Sequence, residues 1–316
     1  MRHFLGVLVL SGALGAALFV APALASEPMS DLGATFESLK VNTKGEALVT
    51  YRRTDGKVGH VLVWGGINAV TSTDQSVRQV RFNYDYAGGW GKYRKASYWS
   101  TFKNGCTPYD GPTLVYFLFA CKAPDGSYWA IQRWQRGLPL LGFDPWKPSQ
   151  TAYELHLSRW TGELSKLEVY SHWTYGGQWQ GLFGRFTYLG QPIFGFGSTG
   201  QGNPFDRYGR NVYIDTLNSA YEPGWKRESG ILVHKNTGTF CHSFVPQKPF
   251  PDYPSKAMRP PAPGERYRIT VMGAGVTPVI QWEGLGLTAA DRAQAASMTS
   301  IFDTIMASDR QCAPER

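Results

Sequence analysis

Gly195, Gly197 and Gly200, in the stretch IFGFGSTGQGNPFDRYGRN at 193–211, spell G-x-G-x-x-G, the spacing with which a backbone cradles a pyrophosphate. That chemistry needs a strand before the glycines and a helix N-terminus after them, whose free N–H groups hold the phosphates. The residues after Gly200 are QGNPFDRYG, in which Gly202, Pro204 and Gly209 all oppose a helix. No acidic residue closes a second strand about 20 residues further on, since Glu222 stands in SAYEPGW, which reads as a turn. The segment reads as a glycine-rich β connection. No nucleotide, nucleic acid or cofactor is assigned to the chain.

Nucleophiles and metal ligands fare no better. Cys241-His242 has the composition of a thiol–imidazole dyad, but neighbours on a strand point to opposite faces. Ser198 in GFGSTG lacks the glycine two residues before it and the strand-to-helix turn of a nucleophile elbow. The six histidines are scattered singly, with no H-E-x-x-H and no C-x-x-C, so no metal site is assigned. A glycosidase could draw two carboxylates from distant segments, and Asp85, Asp144, Asp206, Asp215 and Glu222 all lie near aromatic, glycine-rich or turn sequence. No run of acids on one strand face places two of them together, and each reads more simply as a turn former or solvated loop acid.

Aromatic residues give the clearest functional signal. The chain holds 11 Trp, 17 Tyr and 17 Phe. Segments such as WAIQRW and VYFLF read as core. Trp90, Trp173, Tyr175 and Trp179 differ, because they stand in glycine-rich sequence that builds poor strand core. An exposed ring stacks on the apolar face of a sugar while nearby side chains bond its hydroxyls, and Gln178, Gln180, Asn203 and Asp206 have the right chemistry for that. The competing reading folds the same rings over the glycines to close the ends of a β core.

The elements that must position these residues are short strands separated by turn signals. EALVTYRRTDGKVGHVLVWGG reads as a hairpin with a two-residue type I′ turn at Asp55-Gly56, placing Val49 opposite Leu62. TLVYFLFACKAPDGSYWAIQRW reads as a second, with Pro124 opening a type I turn and Gly126 supplying the left-handed residue. GILVHKNTGTFCHSFVP is a third, turning at Asn236-Thr237-Gly238. In TAYELHLSRWTGELSKLEVYSHW, a three-residue loop at Thr161-Gly162-Glu163 pairs Leu157 with Leu167 and Leu155 with Val169, leaving His156 opposite Glu168 as a polar pair. NVYIDTL, ERYRITVMG and TPVIQWEG add further strands. Seven prolines in PQKPFPDYPSKAMRPPAP favour an extended path, and TAADRAQAASMTSIFDTIMAS reads as a helix capped by Thr288, with Met298, Ile301, Phe302 and Ile305 on one face.

The expected fold is all-β, a two-sheet sandwich-like domain over 26–245, with a Pro-rich extended segment at 246–264 and C-terminal strands and one helix over 265–316 packed on it. Two smaller β domains are the alternative. Residues 1–25 read as a signal peptide: Arg2 and His3, the apolar FLGVLVLSGALGAALFV, then Ala23-Leu24-Ala25 as an A-x-A cleavage site. No later run is long and apolar enough for a transmembrane helix, so the expected location is secreted or extracytoplasmic. The net charge of +8 is concentrated in 86–186, where eleven Lys and Arg face six Asp and Glu, which suits attraction to an anionic envelope polymer. The expected function is noncatalytic binding of cell-envelope or extracellular glycan. The alternatives are a secreted polysaccharide hydrolase and a structural envelope protein without ligand.

Four cysteines in an exported chain are expected to pair, Cys106 with Cys121 and Cys241 with Cys312. On the chain-entropy model the shorter loop is worth about 3 kcal/mol and the longer roughly 4 kcal/mol. Peptide mapping of the unreduced protein should recover a Cys241–Cys312 cross-linked peptide. A peptide joining Cys121 to Cys241 would overturn the scheme.

Overall fold

In the computed structural model the described residues are 27–29, 32–67, 82–86, 97–136, 152–175, 178–192, 196–198, 204–206, 212–219, 222–234, 239–245, 264–271, 273 and 275–285. The strand-rich reading holds: these residues are mostly strands in antiparallel sheets, with a single turn of helix. The leader, the Pro-rich segment, the C-terminal helix and Cys312 lie outside them.

The N-terminal half supplies β1 (Glu27–Pro28), β2 (Thr35–Val41), β3 (Ala47–Arg52), β4 (Val58–Gly65), β5 (Phe82–Tyr86), helix α1 (Tyr98–Thr101), β6 (Thr107–Pro108), β7 (Phe117–Lys122), β8 (Tyr128–Arg136) and β9 (Ala152–Trp160). They form a four-stranded sheet, β2-β3-β4-β5, and a five-stranded sheet, β1-β9-β8-β7-β6. Alternating residues of both sheets enter one apolar cluster, with Val49, Tyr51, Val61 and Val63 from the first and Trp129, Ile131, Leu155 and Leu157 from the second. The Cys106–Cys121 disulfide ties the segment leading into β6 to β7 at the edge of this cluster, as expected.

Three turns here share one chemistry. Around Asn42–Glu46, Arg53–Lys57 and Ala123–Ser127, the first residue donates its N–H to the last residue's carbonyl and accepts from the fourth, a glycine. Gly45, Gly56 and Gly126 stand at φ of +71°, +82° and +82°, where a Cβ would be strained. The β7–β8 turn is the one read from Pro124 and Gly126. The β3–β4 turn corrects the sequence reading: it has three residues, Val49 pairs with Val61, and Leu48 takes Leu62. Within it only Gly56 has positive φ, whereas a type I′ turn needs two such residues. Asp55 stays out of that region and accepts the Lys57 N–H instead. Two successive positive φ values occur at Leu189 and Gly190.

The C-terminal half supplies β10 (Lys166–Tyr175), β11 (Gln178–Tyr188), β12 (Gln191–Pro192), β13 (Phe196–Ser198), β14 (Pro204–Asp206), β15 (Val212–Ser219), β16 (Glu222–His234), β17 (Thr239–Val245), β18 (Arg266–Val271) and β19 (Ile280–Leu285). Seven of these run in the order β10-β11-β17-β16-β15-β18-β19, with β12 beside β11. β16 is the joint of the path. Its first half pairs with β15, Glu228 opposite Ile214, and its second half with β17, Ser229 opposite Val245. The path coils until its end strands β10 and β19 approach within 8 Å between Cα atoms without being ladder partners. A second apolar cluster fills the concave side, with Leu182 and Phe186 of β11, Ile214 of β15, and Tyr267, Ile269 and Val271 of β18. The expected turn at 236–238 lies outside the described residues, between His234 and Phe240, which pair.

The expected β9–β10 hairpin does not form. Leu157 pairs with Ile131, His156 with Gln132, Leu167 with Phe186 and Glu168 with Arg185, so the two strands belong to different sheets. The cause is competition for β9, which is paired on one edge by β8 and on the other by β1, with the Arg159 N–H donating 2.8 Å to Val276 O beyond β1. Residues 161–165 therefore cross from one sheet to the next. His156 is buried and lies 3.1 Å from Glu154 Oε2 on its own strand. VYFLF also departs from its reading as core: Phe117 is 51% exposed and Leu118 37%. β6 covers β7 only at Cys121 and Lys122, and a bulge between Phe117 and Phe119 turns the uncovered half outward.

Two buried side chains join these parts. The Gln132 amide donates 2.9 Å to Val115 O and 2.9 Å to Val279 O and accepts 2.9 Å from the Val279 N–H, fastening the β18–β19 connection to β8. Arg159 lies over the Trp129 ring, donates 2.8 Å to Gly65 O and pairs with Asp125 at 2.7 Å, so its charge is matched where burial would otherwise be costly. Burial alone would raise the Asp125 carboxyl, but Ser127 and Arg159 outweigh it and hold the pKa below the ordinary value. Gln132→Ala leaves two carbonyls and an N–H buried without partners, and should lower unfolding free energy by on the order of 3 kcal/mol. A urea titration reads this as a drop in midpoint at unchanged slope. An unchanged midpoint would mean the fastening is dispensable.

Candidate functional site

A cleft of about 220 Å³ opens where the ends of the coiled sheet approach each other. Thr113 and Val115 come from the segment before β7, Leu164, Ser165 and Leu167 from the crossing and the start of β10, and Val279, Ile280, Gln281 and Trp282 from β19 and the residue before it. Each wall is held from behind. Gln132 binds both Val115 O and Val279 O, and Ser165 Oγ lies 3.4 Å from Thr277 Oγ1. The Tyr188 hydroxyl donates 3.3 Å to Thr161 O, and burial holds that phenol above its ordinary pKa.

Strand alternation divides β19 into two chemistries. Ile280 and Trp282 pack against the apolar cluster of the coiled sheet. Gln281 and Glu283 take the other face, where Glu283 pairs with Arg266 and lies 3.1 Å from Arg268 Nη2. Gln281 Nε2 donates 3.0 Å to Thr270 Oγ1 across the ladder and 2.7 Å to the Tyr116 hydroxyl arriving from the other sheet. Tyr116 holds φ of +52°, the left-handed region, which costs a non-glycine residue about 1–3 kcal/mol. Its carbonyl accepts the Arg133 N–H at 2.8 Å, which fixes that backbone in place. Trp282 folds over Gly284: a Cβ there would stand 2.3 Å from indole Cζ2 and Cη2.

The residues singled out from sequence divide between several places. Trp173, Tyr175, Gln178 and Trp179 share the end of the β10–β11 hairpin, with Trp173 opposite Gly181, Trp179 opposite Thr174 and Tyr175 opposite Gln178. Bulges on either side of Trp173 interrupt that ladder. Asp206 lies elsewhere, opposite Phe196 in the β13–β14 pair, which packs beside β16. Trp90 and Asn203 lie outside the described residues. The G-x-G-x-x-G stretch enters this same antiparallel pair: Gly197 is opposite Phe205, and the strand Pro204–Asp206 follows where a phosphate site would need a helix. Cys241 and His242 are successive residues of β17.

Among the carboxylates weighed from sequence, Asp85 is buried on β5 and Asp215 is buried on β15 opposite Arg227 and Arg268, in different sheets. Glu222 opens β16 opposite Ser219, and Asp144 lies outside the described residues. None of the residues lining the cleft is an acid. Among the described residues no three metal-ligating side chains gather, and no helix is long and apolar enough to cross a membrane. The sequence reading missed Tyr116, Gln281 and Trp282. The W-x-G spacing of Trp282 and Gly284 was the available signal, the same mixture of tryptophan and glycine that marked Trp173 and Trp179. Comparison of the chain with known families, curated proteins and solved structures finds no match.

Gly284→Ala tests the seat of the indole. The added methyl must push Trp282 aside, at about 1–3 kcal/mol of overpacking, and should shift the Trp282 indole N–H resonance in a protein NMR spectrum. An unmoved resonance would mean that Gly284 does not position the ring.

Proposed function

We propose that the protein is exported and binds a cell-envelope or extracellular glycan without transforming it. The observation that carries this reading is the lining of the cleft, which joins a partly exposed tryptophan to neutral hydrogen-bonding side chains and includes no acid. Glycan recognition needs that combination, a flat apolar face for the ring and amide or hydroxyl groups for its substituents. Hydrolysis needs two carboxylates about 5–9 Å apart flanking the bond, so the neutral lining favours binding over the hydrolase alternative. The end of the β10–β11 hairpin carries residues of the same chemical types, with Trp173, Tyr175, Gln178 and Trp179 on adjacent strands.

The apolar leader of residues 1–25 and its A-x-A site support export, and the Cys106–Cys121 bridge fits an oxidising compartment. In this reading the sheets stack as a sandwich, and the Pro-rich segment and C-terminal helix pack on them. The concentration of positive charge over 86–186 would draw the protein toward an anionic envelope surface, with the glycan contacts conferring selectivity.

Calorimetry and tryptophan fluorescence against soluble envelope-glycan fragments test the reading. The wild type should bind with quenched emission, and Trp179→Ala should weaken binding several-fold to about tenfold, with circular dichroism unchanged. Absence of binding to every fragment would remove glycan recognition. Unchanged affinity in a folded Trp179→Ala protein would remove the hairpin end from the site.

A further inference from the structure

Resting on the glycan-binding reading, we infer that the cleft between β10 and β19 is a subsite for one uncharged pyranose ring, with Trp282 and Gln281 reaching it from the two faces of β19, the first as its aromatic contact and the second as its hydrogen-bonding residue. Three properties of the cleft point to that ligand. Its lining contains no charged side chain, although the chain as a whole carries a net charge of +8. An anionic sugar buried there would lose its hydration without gaining a counter-charge. The volume of about 220 Å³ equals about seven water molecules at about 30 Å³ each, which suits one ring and is too small for a run of them.

The polar groups supply the third property. Gln281 Nε2 is committed to Tyr116 and Thr270, which fixes the plane of the amide, while its Oε1 accepts from no described residue. Trp282 and Thr113, both lining residues, carry an indole N–H and a hydroxyl that likewise bond to no described residue. A fixed acceptor, an indole N–H and a rotatable hydroxyl among the lining residues match a pyranose, whose hydroxyls each donate and accept. Tyr116 and Thr270 act as positioning residues that hold the Gln281 amide. The left-handed backbone at Tyr116 is explained by the need to bring its hydroxyl across from the neighbouring sheet.

The test uses the full exported chain and two probes, a neutral hexose oligosaccharide and polygalacturonate as an anionic polymer. The neutral probe should bind the wild type with an affinity unchanged between about 0.05 and about 0.5 M salt, because no screened charge contributes. Trp282→Ala and Gln281→Ala should each weaken it about tenfold, and Tyr116→Phe should weaken it less while changing the Gln281 side-chain amide resonances. Gln281 lies on the face of β19 away from the apolar cluster, so its variant keeps the test open if Trp282→Ala fails to fold. Neutral-probe binding that is unchanged in both folded variants overturns the subsite and leaves the glycan reading standing. Salt-sensitive binding of polygalacturonate alone overturns the subsite in favour of the basic surface. No binding of either probe overturns the subsite and the glycan reading together.

Discussion

The buried amide of Gln132 is the contact on which the arrangement of the described parts turns. It sits at the centre of β8 and bonds at once to the segment before β7 and to the connection before β19, more than half the described chain apart in sequence. A buried amide left without partners costs more than its hydrogen bonds contribute, so the site tolerates only the geometry in which all three bonds form. That geometry sets the spacing between the walls of the cleft. Arg159 performs the matching service between the two N-terminal sheets, where its paired charge and its place over Trp129 join a turn, a strand end and a core tryptophan.

The coiled seven-strand path follows from β16. A strand of thirteen residues that pairs with β17 along one half and β15 along the other must bend between its two ladders. Right-handed twist accumulates across the successive strands and brings β10 toward β19. Their meeting is incomplete, since no ladder joins them, and the gap is where side chains from three segments gather around open space. An edge of this kind is ordinarily hazardous because its unpaired backbone groups invite another strand. Here the crossing at 161–165 and the segment carrying Thr113 and Val115 stand beside it.

Electrostatics separate the surface from the cleft. Charged side chains are matched outside it, as with Glu283 between Arg266 and Arg268, or Asp110 between Lys122 and the Tyr128 hydroxyl. The Asp110 carboxyl is held below its ordinary pKa chiefly by the Lys122 hydrogen bond, with the Tyr128 bond next. The cleft has no such pairs in its lining. Paired ions on the surface and neutral side chains around the cleft are therefore segregated to different parts of the molecule.

What the sequence determined by itself was whatever a few neighbouring residues settle. Gly126 after Pro124-Asp125 dictates its turn because only glycine takes the required φ without strain, and the alternation in ERYRITV and VIQWEG dictates strands because one face must be buried. Cys106 and Cys121 are close enough in the chain for pairing to be read from their spacing. Tertiary structure decided the choices in which distant segments compete. Nothing local says that β9 takes β1 and Val276 rather than β10, because those partners lie far from it in the sequence and the local turn signal favours β10. Register at Asp55-Gly56 was nearly legible, and failed by one residue because Asp55 could satisfy the Lys57 N–H without entering the left-handed region. The exposure of Phe117 depended on how far β6 reaches, and the grouping of Tyr116, Gln281 and Trp282 on the approach of two sheets. Aromatic and glycine content announces that rings will be presented, but which rings meet open space is fixed only when the whole chain has packed.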